Sequence, residues 1–322
     1  TPEEFERIGL EFTRRANAGR ARQEVFFAGA IPRMLLPLAR SMGGDVFNET
    51  LTAPRLTDEA FVRALKLYHR WVAELHLIPD AAEIASESAD GSSVNGQATP
   101  QLVAGRYGMI VSGRYVNMDL RRFRKGPVAL SFSQFPEYGF KNLILSSRNT
   151  AIYRGAKEKR YAEIFLLYLA GKEYNELIIN GSDGLPPNPK WAADNPDYHT
   201  PPGREYEGNL HTNELRWART IAIPESFSPY YPLADNRIED AYNRVANNLC
   251  TPEKALEIAD RTIAHSIRET VEGTPSLRER YRRACELQKK IDERQAAGRK
   301  IPAAWISNPF HLKYYGDAGK LE

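Results

Sequence analysis

Cysteine, histidine and unbroken apolar runs are all scarce in this chain, and each shortage removes a class of protein. Two cysteines in 322 residues, Cys250 and Cys285, exclude a disulfide framework. Such low usage fits a cytoplasmic protein and a bacterial extracytoplasmic one equally well. The six histidines are scattered, and none has the spacing of a metal-binding helix. His69 and His76 stand seven apart, two helical turns, which is too far for an adjacent-turn ligand pair, so no metal is expected. No run approaches the roughly 20 apolar residues of a membrane span. The longest apolar patches, around 31–39 and 164–170, are short or interrupted. The first residues carry no charged and apolar leader pattern. Basic and acidic residues nearly cancel, 44 against 41, and a net charge of +3 gives no footprint for nucleic acid.

Catalytic signatures are missing too. The sequence has no G-x-S-x-G elbow, no P-loop and no G-x-G-x-x-G after a strand. Glu173 and Glu176 are neighbours on one predicted helix, an arrangement that usually only solvates a surface. What remains are loops rich in aromatic, small and single polar residues, which are parts for binding. Tyrosine is abundant, with 16 copies, and its ring offers a rigid apolar face with a polar tip.

The stretch 104–115, AGRYGMIVSGRY, reads as a short strand over 107–111 between glycine turns. Its end, Ser112-Gly113-Arg114-Tyr115, sets small residues at a mouth and hangs an arginine and a ring over it. Ligands of α/β sheets bind at such strand ends.

Around it, the chain alternates helices with few strands. Thr1-Pro2-Glu3-Glu4 is a capping box that opens a helix with Phe5, Ile8 and Phe12 on one face. Residues 25–27 read as a buried strand running into Ala28-Gly29-Ala30. A helix over 32–42 follows, stopped by Gly43-Gly44. Thr57-Asp58 opens a long helix whose core stripe is Phe61, Leu65, Tyr68, Val72 and Leu75. Residues 86–96 form a polar loop, and Arg121, Arg122, Arg124 and Lys125 form a basic run read as a solvated face. Further strands are expected at 128–132, 143–145 and 150–153. Residues 156–170 form an amphipathic helix with Ala162, Phe165, Leu166 and Leu169 inward. Helices are then expected over 173–179, 211–220, 238–249, from Thr251, and over 276–295. Irregular loops lie between them at 181–188 and 223–232, and an aromatic tail follows with Trp305, Phe310, Tyr314 and Tyr315.

The order of these pieces resembles the bacterial extracellular solute-binding proteins of carbohydrate ABC importers, the group that includes maltose-binding protein. The resemblance rests on the TPEEF helix start, the helix ending in Gly43-Gly44, and the long helix after Leu56-Thr57-Asp58. AGRYGMIVSGRY, Phe135-Pro136, the helix of 151–170, Asp183-Gly184-Leu185-Pro186 and Thr251-Pro252-Glu253-Lys254-Ala255-Leu256 complete it. It covers about 1–270 and implies an α/β, periplasmic-binding-protein-like (type II) fold of two lobes that close on a sugar. By this resemblance, residues 1–138 and 210–273 belong to the second lobe and 139–209 to a remnant of the first. The charged helix and tail of 274–322 exceed the family's usual end.

The N-terminal half of the first lobe has no counterpart, so the chain is expected to be truncated there. The 139–209 segment is accordingly expected to expose apolar surface. The implied function is a receptor without catalysis or cofactor that delivers a carbohydrate to an ABC transporter permease. It would work at the periplasmic or extracellular face of a bacterial membrane, held there only by a missing anchor or by the permease. In such a receptor Tyr115 stacks on a sugar ring, Arg114 donates to its hydroxyls and Asp183 accepts from them. Gly29, Ala30 and Gly113 line the cleft, and Phe227 and Tyr230 form a second aromatic loop. Two other readings stay open. One is a carbohydrate-active enzyme using Glu137 and Glu225 as acid and base. The other is a signalling module that docks through its C-terminal helix.

Overall fold

The computed structural model describes residues 1–29, 34–87, 98–121, 131–146, 150–181, 184–186, 188, 190–193, 195–231 and 237–322. In chain order its elements are α1 (Pro2–Ala16), β1 (Phe26–Gly29), α2 (Leu35–Ser41), α3 (Glu59–His69), α4 (Ala81–Glu87), α5 (Ala98–Val103), β2 (Tyr107–Ile110) and α6 (Val116–Leu120). Then come β3 (Leu143–Leu145), α7 (Lys159–Leu169), α8 (Lys172–Gly181), α9 (Lys190–Ala193), α10 (Pro196–His199), α11 (Leu210–Thr220) and β4 (Ala222–Pro224). The last four are α12 (Arg237–Ala246), α13 (Pro252–Gly273), α14 (Pro275–Ala296) and α15 (Pro309–Asp317).

Two parallel strand pairs organise these helices. β1 lies beside β2, with Phe26 opposite Tyr107 and Gly29 opposite Ile110. β3 lies beside β4, with Leu143 opposite Ala222. Parallel neighbours need long crossovers, and here the second crossover carries α7 to α11.

Local sequence explains the main helices. The Glu4 backbone N–H donates to the Thr1 hydroxyl at 3.2 Å, closing the capping box of α1. Phe5 is buried against Phe27 and Trp71, but Ile8, expected on the same face, points outward. Gly9 takes the inward position instead, because the Phe27 and Leu77 side chains come too close for any Cβ there. In α3 the expected stripe is buried at Phe61, Leu65 and Tyr68, a π turn over Arg70–Glu74 extends it to Trp71 and Val72, and Leu75 is only half-buried. Thr251 caps α13 by accepting from the Lys254 backbone N–H at 3.3 Å.

Among the described residues, burial separates one large core from two small ones, the second of them in the C-terminal tail. The large core joins Phe5, β1, α2, α3, the 47–56 loop, Tyr230 and the inner faces of α12 and α13. The first small core holds Ile179, Ala192, Tyr198 and Leu215, all within the crossover between β3 and β4.

One strand expectation fails. Residues 150–153 are irregular, and Tyr153 is exposed with no described strand beside it to complete a ladder. Most of the 128–132 strand lies outside the described residues. Phe165, expected inward, lies 56% exposed on α7.

The C-terminal tail packs its own cluster of Ile291, Ile301 and Ile306 and is tied to the rest by buried polar groups. Arg40 is fully buried, pairs with Asp45 at 2.8 Å, and donates to the carbonyls of Ile223 and Pro224 and to the Ser226 hydroxyl. Ser226 donates to the Asn308 side-chain oxygen at 2.8 Å, and the Asn308 amide returns to Asp45 at 2.8 Å. The ring of Phe310 meets Phe140, just before β3, at 5.8 Å. Tail residues therefore grip the flanks of both β3 and β4. Close by, the Glu49 carboxylate accepts from Gln288, Gln295 and Tyr315. Burial pushes that carboxyl up, but the neighbouring His311 and hydrogen bonds from Tyr315, the backbone and Gln288 outweigh it and hold it low.

Candidate functional site at the ends of the first strand pair

β1 and β2 end at one edge of their sheet, where the Val111 backbone N–H donates to the Gly29 carbonyl at 2.9 Å. Gly29 and the turn 112–115 thus share a strand-end edge, the usual place for a ligand in an α/β sheet. Glycine is required at 29 because the buried Tyr107 ring lies across it. A Cβ there would stand 2.3 Å from that ring.

A second close approach shapes the turn. The Tyr115 ring folds back over Gly113, where a Cβ would meet it at 2.8 Å. The Ser112 hydroxyl donates to the Tyr115 oxygen at 3.3 Å. With 44% of its surface exposed, Tyr115 keeps a ring face open to a partner. Asn117 is buried, and both its side-chain amide atoms lack a partner among the described residues.

Arg114 behaves differently from the expected free donor. Its Nε donates to the Gly184 carbonyl at 3.1 Å, one terminal nitrogen pairs with Glu214, and the other contacts His211 Nδ1 at 2.8 Å. Its guanidinium also lies over the Tyr198 ring. These contacts direct the guanidinium into the protein and join the site turn to α11.

A second pair continues this network. Arg121 grips both Glu207 oxygens, at 2.6 and 2.8 Å, and donates to the Asn180 carbonyl at 2.7 Å. The basic run was read as solvated, and Arg121 corrects that: its side chain is almost wholly buried. Arg122, Arg124 and Lys125 lie outside the described residues. His211 Nε2 meets Glu207 at 2.5 Å while its Nδ1 faces an arginine donor, so the ring accepts at Nδ1 and donates at Nε2.

The network tunes its carboxylates in opposite directions. Burial pushes the Glu207 carboxyl up, but hydrogen bonds from Arg121 and His211 and the charge of Arg121 prevail and hold it at about 2. For Glu214, burial prevails over the attraction of Arg114, and its carboxyl is raised. Burial also lifts the Tyr198 hydroxyl, against the pull of Arg114, to about 12.

The other expected site residues disperse. Phe227 is 75% exposed on the loop after β4. Tyr230, three residues on, is 2% exposed and sits edge-on to Tyr281 of α14 at 4.9 Å, so its ring has no free face. No described hydrogen bond or ring contact joins either to the 112–115 turn. Ala30 and Asp183 lie outside the described residues, as does most of the 86–96 loop. Glu225 accepts from the Ser146 hydroxyl at 3.2 Å, and Glu137 borders a recess of about 10 Å³ with Lys141 and Asn142. No described contact joins the two carboxylates. A shallow concavity of about 530 Å³ runs along α1, lined by Ile8, Glu11, Phe12, Arg15 and Ala16. Because Phe12 covers Gly108 in mid-strand, this concavity faces the flank of β2 and not its end. No described group of His, Cys, Asp and Glu has the arrangement of a metal site.

Sequence reasoning missed Glu207, His211 and Glu214. His211 and Glu214, three apart, share a face of α11, which was the available signal, while Glu207 lies in the turn before that helix. The arginines they meet lie about a hundred residues away, beyond the reach of periodicity.

No protein-family model matches the chain, and no curated protein matches it in sequence. Its structure is similar to several solved ones. A solute-binding protein of an ABC transporter from Thermotoga lettingae, bound with α-D-tagatose, superposes with a TM-score of 0.63 at 15% identity, over 82% of this chain and 64% of that one. The maltose/maltodextrin-binding domain from Bdellovibrio bacteriovorus, bound to maltotriose, gives 0.60 at 15% identity, over 83% and 66%. An ABC substrate-binding protein from Listeria monocytogenes, in complex with cycloalternan, gives 0.54 at 16% identity, over 80% and 62%. The chain therefore has the α/β, two-lobed type of fold of these proteins and spans less than two thirds of their length.

Proposed function

We propose that this chain is the larger part of a carbohydrate receptor of an ABC importer, binding sugar without catalysing any reaction. The supporting observation is that its fold is that of three proteins each solved with a sugar bound, while its own strand-end edge presents an open aromatic ring. Tyr115 stacks on the apolar face of a sugar ring, and Gly113 lets that ring lie flat on the backbone. Gly29 keeps the neighbouring edge narrow. Ala30, Asp183 and Phe227 are further sugar contacts in this reading. Arg114 is a positioning residue in this reading, because its donors hold α11 against the turn. Tyr230 supports the loop that carries Phe227.

Closure of two lobes on the sugar then presents it to a permease, the sugar's preference for the closed form driving the shift. The site of action is the outer face of a bacterial membrane. No described helix is long and apolar enough to cross a membrane. Glu137 and Glu225 share no contact, and no observation favours the hydrolytic reading.

Calorimetry with a panel of mono- and oligosaccharides tests this. At least one sugar is expected to bind, and Tyr115→Ala to weaken it about tenfold, which is about 1.4 kcal/mol. Binding of another solute class with no response to any sugar overturns the sugar assignment. With an incomplete first lobe, the 322-residue chain alone is expected to bind more weakly than a longer polypeptide that completes it.

A further inference from the structure

The polar hold on the site turn comes from its two arginines. Arg114, Asn117 and Arg121 have the spacing of one helical face. Both arginines run from that face to carboxylates and carbonyls of the smaller region. Asn117, between them, is 2% exposed and makes no side-chain hydrogen bond among the described residues. A buried amide without partners favours any state in which water reaches it. The turn therefore stays seated only as long as the arginines do.

His211 completes the seat of Arg114, and it does so only as a neutral ring. Its side chain is 1% exposed, so solvent does not stand in for a lost partner. Nδ1 accepts from Arg114 at 2.8 Å, and Nε2 donates to Glu207. The charged and titratable groups around the ring come from four elements. Glu214, further along α11, pairs with the same Arg114. Glu207, in the turn before α11, is shared with Arg121 of the site segment and lies 4.0 Å from Arg204. From α10, the Tyr198 ring meets the imidazole at 5.8 Å, and its hydroxyl, at about 12, stays protonated throughout the neutral range. Imidazole is the side chain whose ordinary titration falls between about pH 5 and 8. A proton taken from solvent occupies the Nδ1 lone pair. Two N–H groups, each on a cation, then face one another where a hydrogen bond stood. Glu207 attracts such a ring, but its oxygens already serve Arg121. Glu214 works in the same direction as the imidazole, because burial raises its carboxyl and acid weakens its hold on Arg114.

We propose that His211 is a proton-sensitive positioning residue for the site turn: its neutral ring seats Arg114 and holds Tyr115 in place, and a proton on Nδ1 releases both. The turn is held at neutral pH and loosened in mild acid, so a ligand that needs the seated turn is let go as pH falls. The proposal concerns the turn itself and does not rest on the sugar reading; its test uses no sugar. Ring-nitrogen NMR and hydrogen exchange are recorded on the 322-residue chain between about pH 8 and pH 5. At the upper end the His211 ring, identified by the loss of its signal in His211→Asn, carries a proton on Nε2 alone. Toward the lower end it gains the second proton. The amides of Val116, Asn117 and Met118, which donate to carbonyls of the turn, then exchange about tenfold faster after correction for the intrinsic effect of pH, while those of α3 do not change. His211→Asn sets an oxygen that takes no proton in the place of Nδ1, and its turn keeps one rate to within about twofold across the range. His211→Phe, which lacks the acceptor, exchanges fast at both ends. A ring protonated on both nitrogens at the upper end overturns the proposal, as does a parent turn with one rate throughout. An equal acceleration in His211→Asn overturns it too and assigns the response to Glu214. Should His211→Asn not fold, the parent decides alone: the ring titration and the acceleration of the turn share one midpoint, and two separate midpoints overturn the proposal.

Discussion

Helices α3 and α7 are written alike and end differently. Each has eleven residues. In α3 the stripe is Phe61, Ala64, Leu65 and Tyr68, exposed by no more than 2%; in α7 the same register holds Tyr161, Ile164, Phe165 and Tyr168, exposed by at least 45%. The amphipathic pattern is a statement of what a helix offers, and burial depends on whether a partner surface exists. For α3 that surface is supplied by α2, α12 and α13. The smaller region instead draws on buried charge: four apolar residues form its core, and Arg114, Arg121, Glu207 and Glu214 fasten it to the site turn.

The strongest way to break this comparison is truncation of matched rings. Phe61→Ala is expected to cost about 3–5 kcal/mol in chemical denaturation. Phe165→Ala, at the exposed position, should stay within about 0.5 kcal/mol. A cost at Phe165 near that at Phe61 means that α7 has a partner in this chain after all.

Acid sharpens the contrast next. The Glu207 carboxyl is depressed from 4.5 to about 2 in the folded chain. Its contribution is therefore complete above about pH 4.5 and lost as pH falls from there through 2, an effect on the order of 3 kcal/mol. Glu214, with a raised carboxyl, acts in the opposite sense and weakens the fold as pH rises above 4.5. Glu207→Gln should be less stable than the parent at pH 7 and lose less stability than the parent between pH 4.5 and 2. Denaturation followed by fluorescence, with Trp191 and Trp217 reporting the smaller region, reads this directly. Equal acid slopes for parent and variant would remove Glu207 from the account.

The smallest effect is expected between the two regions. Gly113→Ala displaces the Tyr115 ring but touches neither core, so its stability cost should be about 1 kcal/mol or less. A loss of several kcal/mol would show that the turn belongs to one of the cores.

How far the sequence could be read follows from the range of each interaction. Capping at Thr1 and Thr251 is decided within four residues, and both helix starts were legible. The strand at 107–110 was legible from its glycine brackets and apolar interior. The fate of Arg114 was not, because a loop arginine looks like a free donor until Glu214 folds against it from a hundred residues away. Phe227 and Tyr230 sit three apart in one proline-rich loop and look equivalent. Only the arrival of Tyr281 from α14 makes one of them a core residue. The tail, left open between packing and docking, proves to be packed, since Asn308 and Phe310 are wholly buried.

That tail has a consequence for how the chain comes to be folded. Asp45, Phe47 and Glu49 find their partners more than 230 residues downstream, at Gln288, Asn308, His311 and Tyr315. Contacts of such sequence separation carry a large loop-closure cost and form late. During synthesis the flanks of β3 and β4 stay ungripped until α15 has left the ribosome. The order of assembly is thus imposed by this late segment: α1 to α3 can condense early, while the connection to the smaller region waits for it.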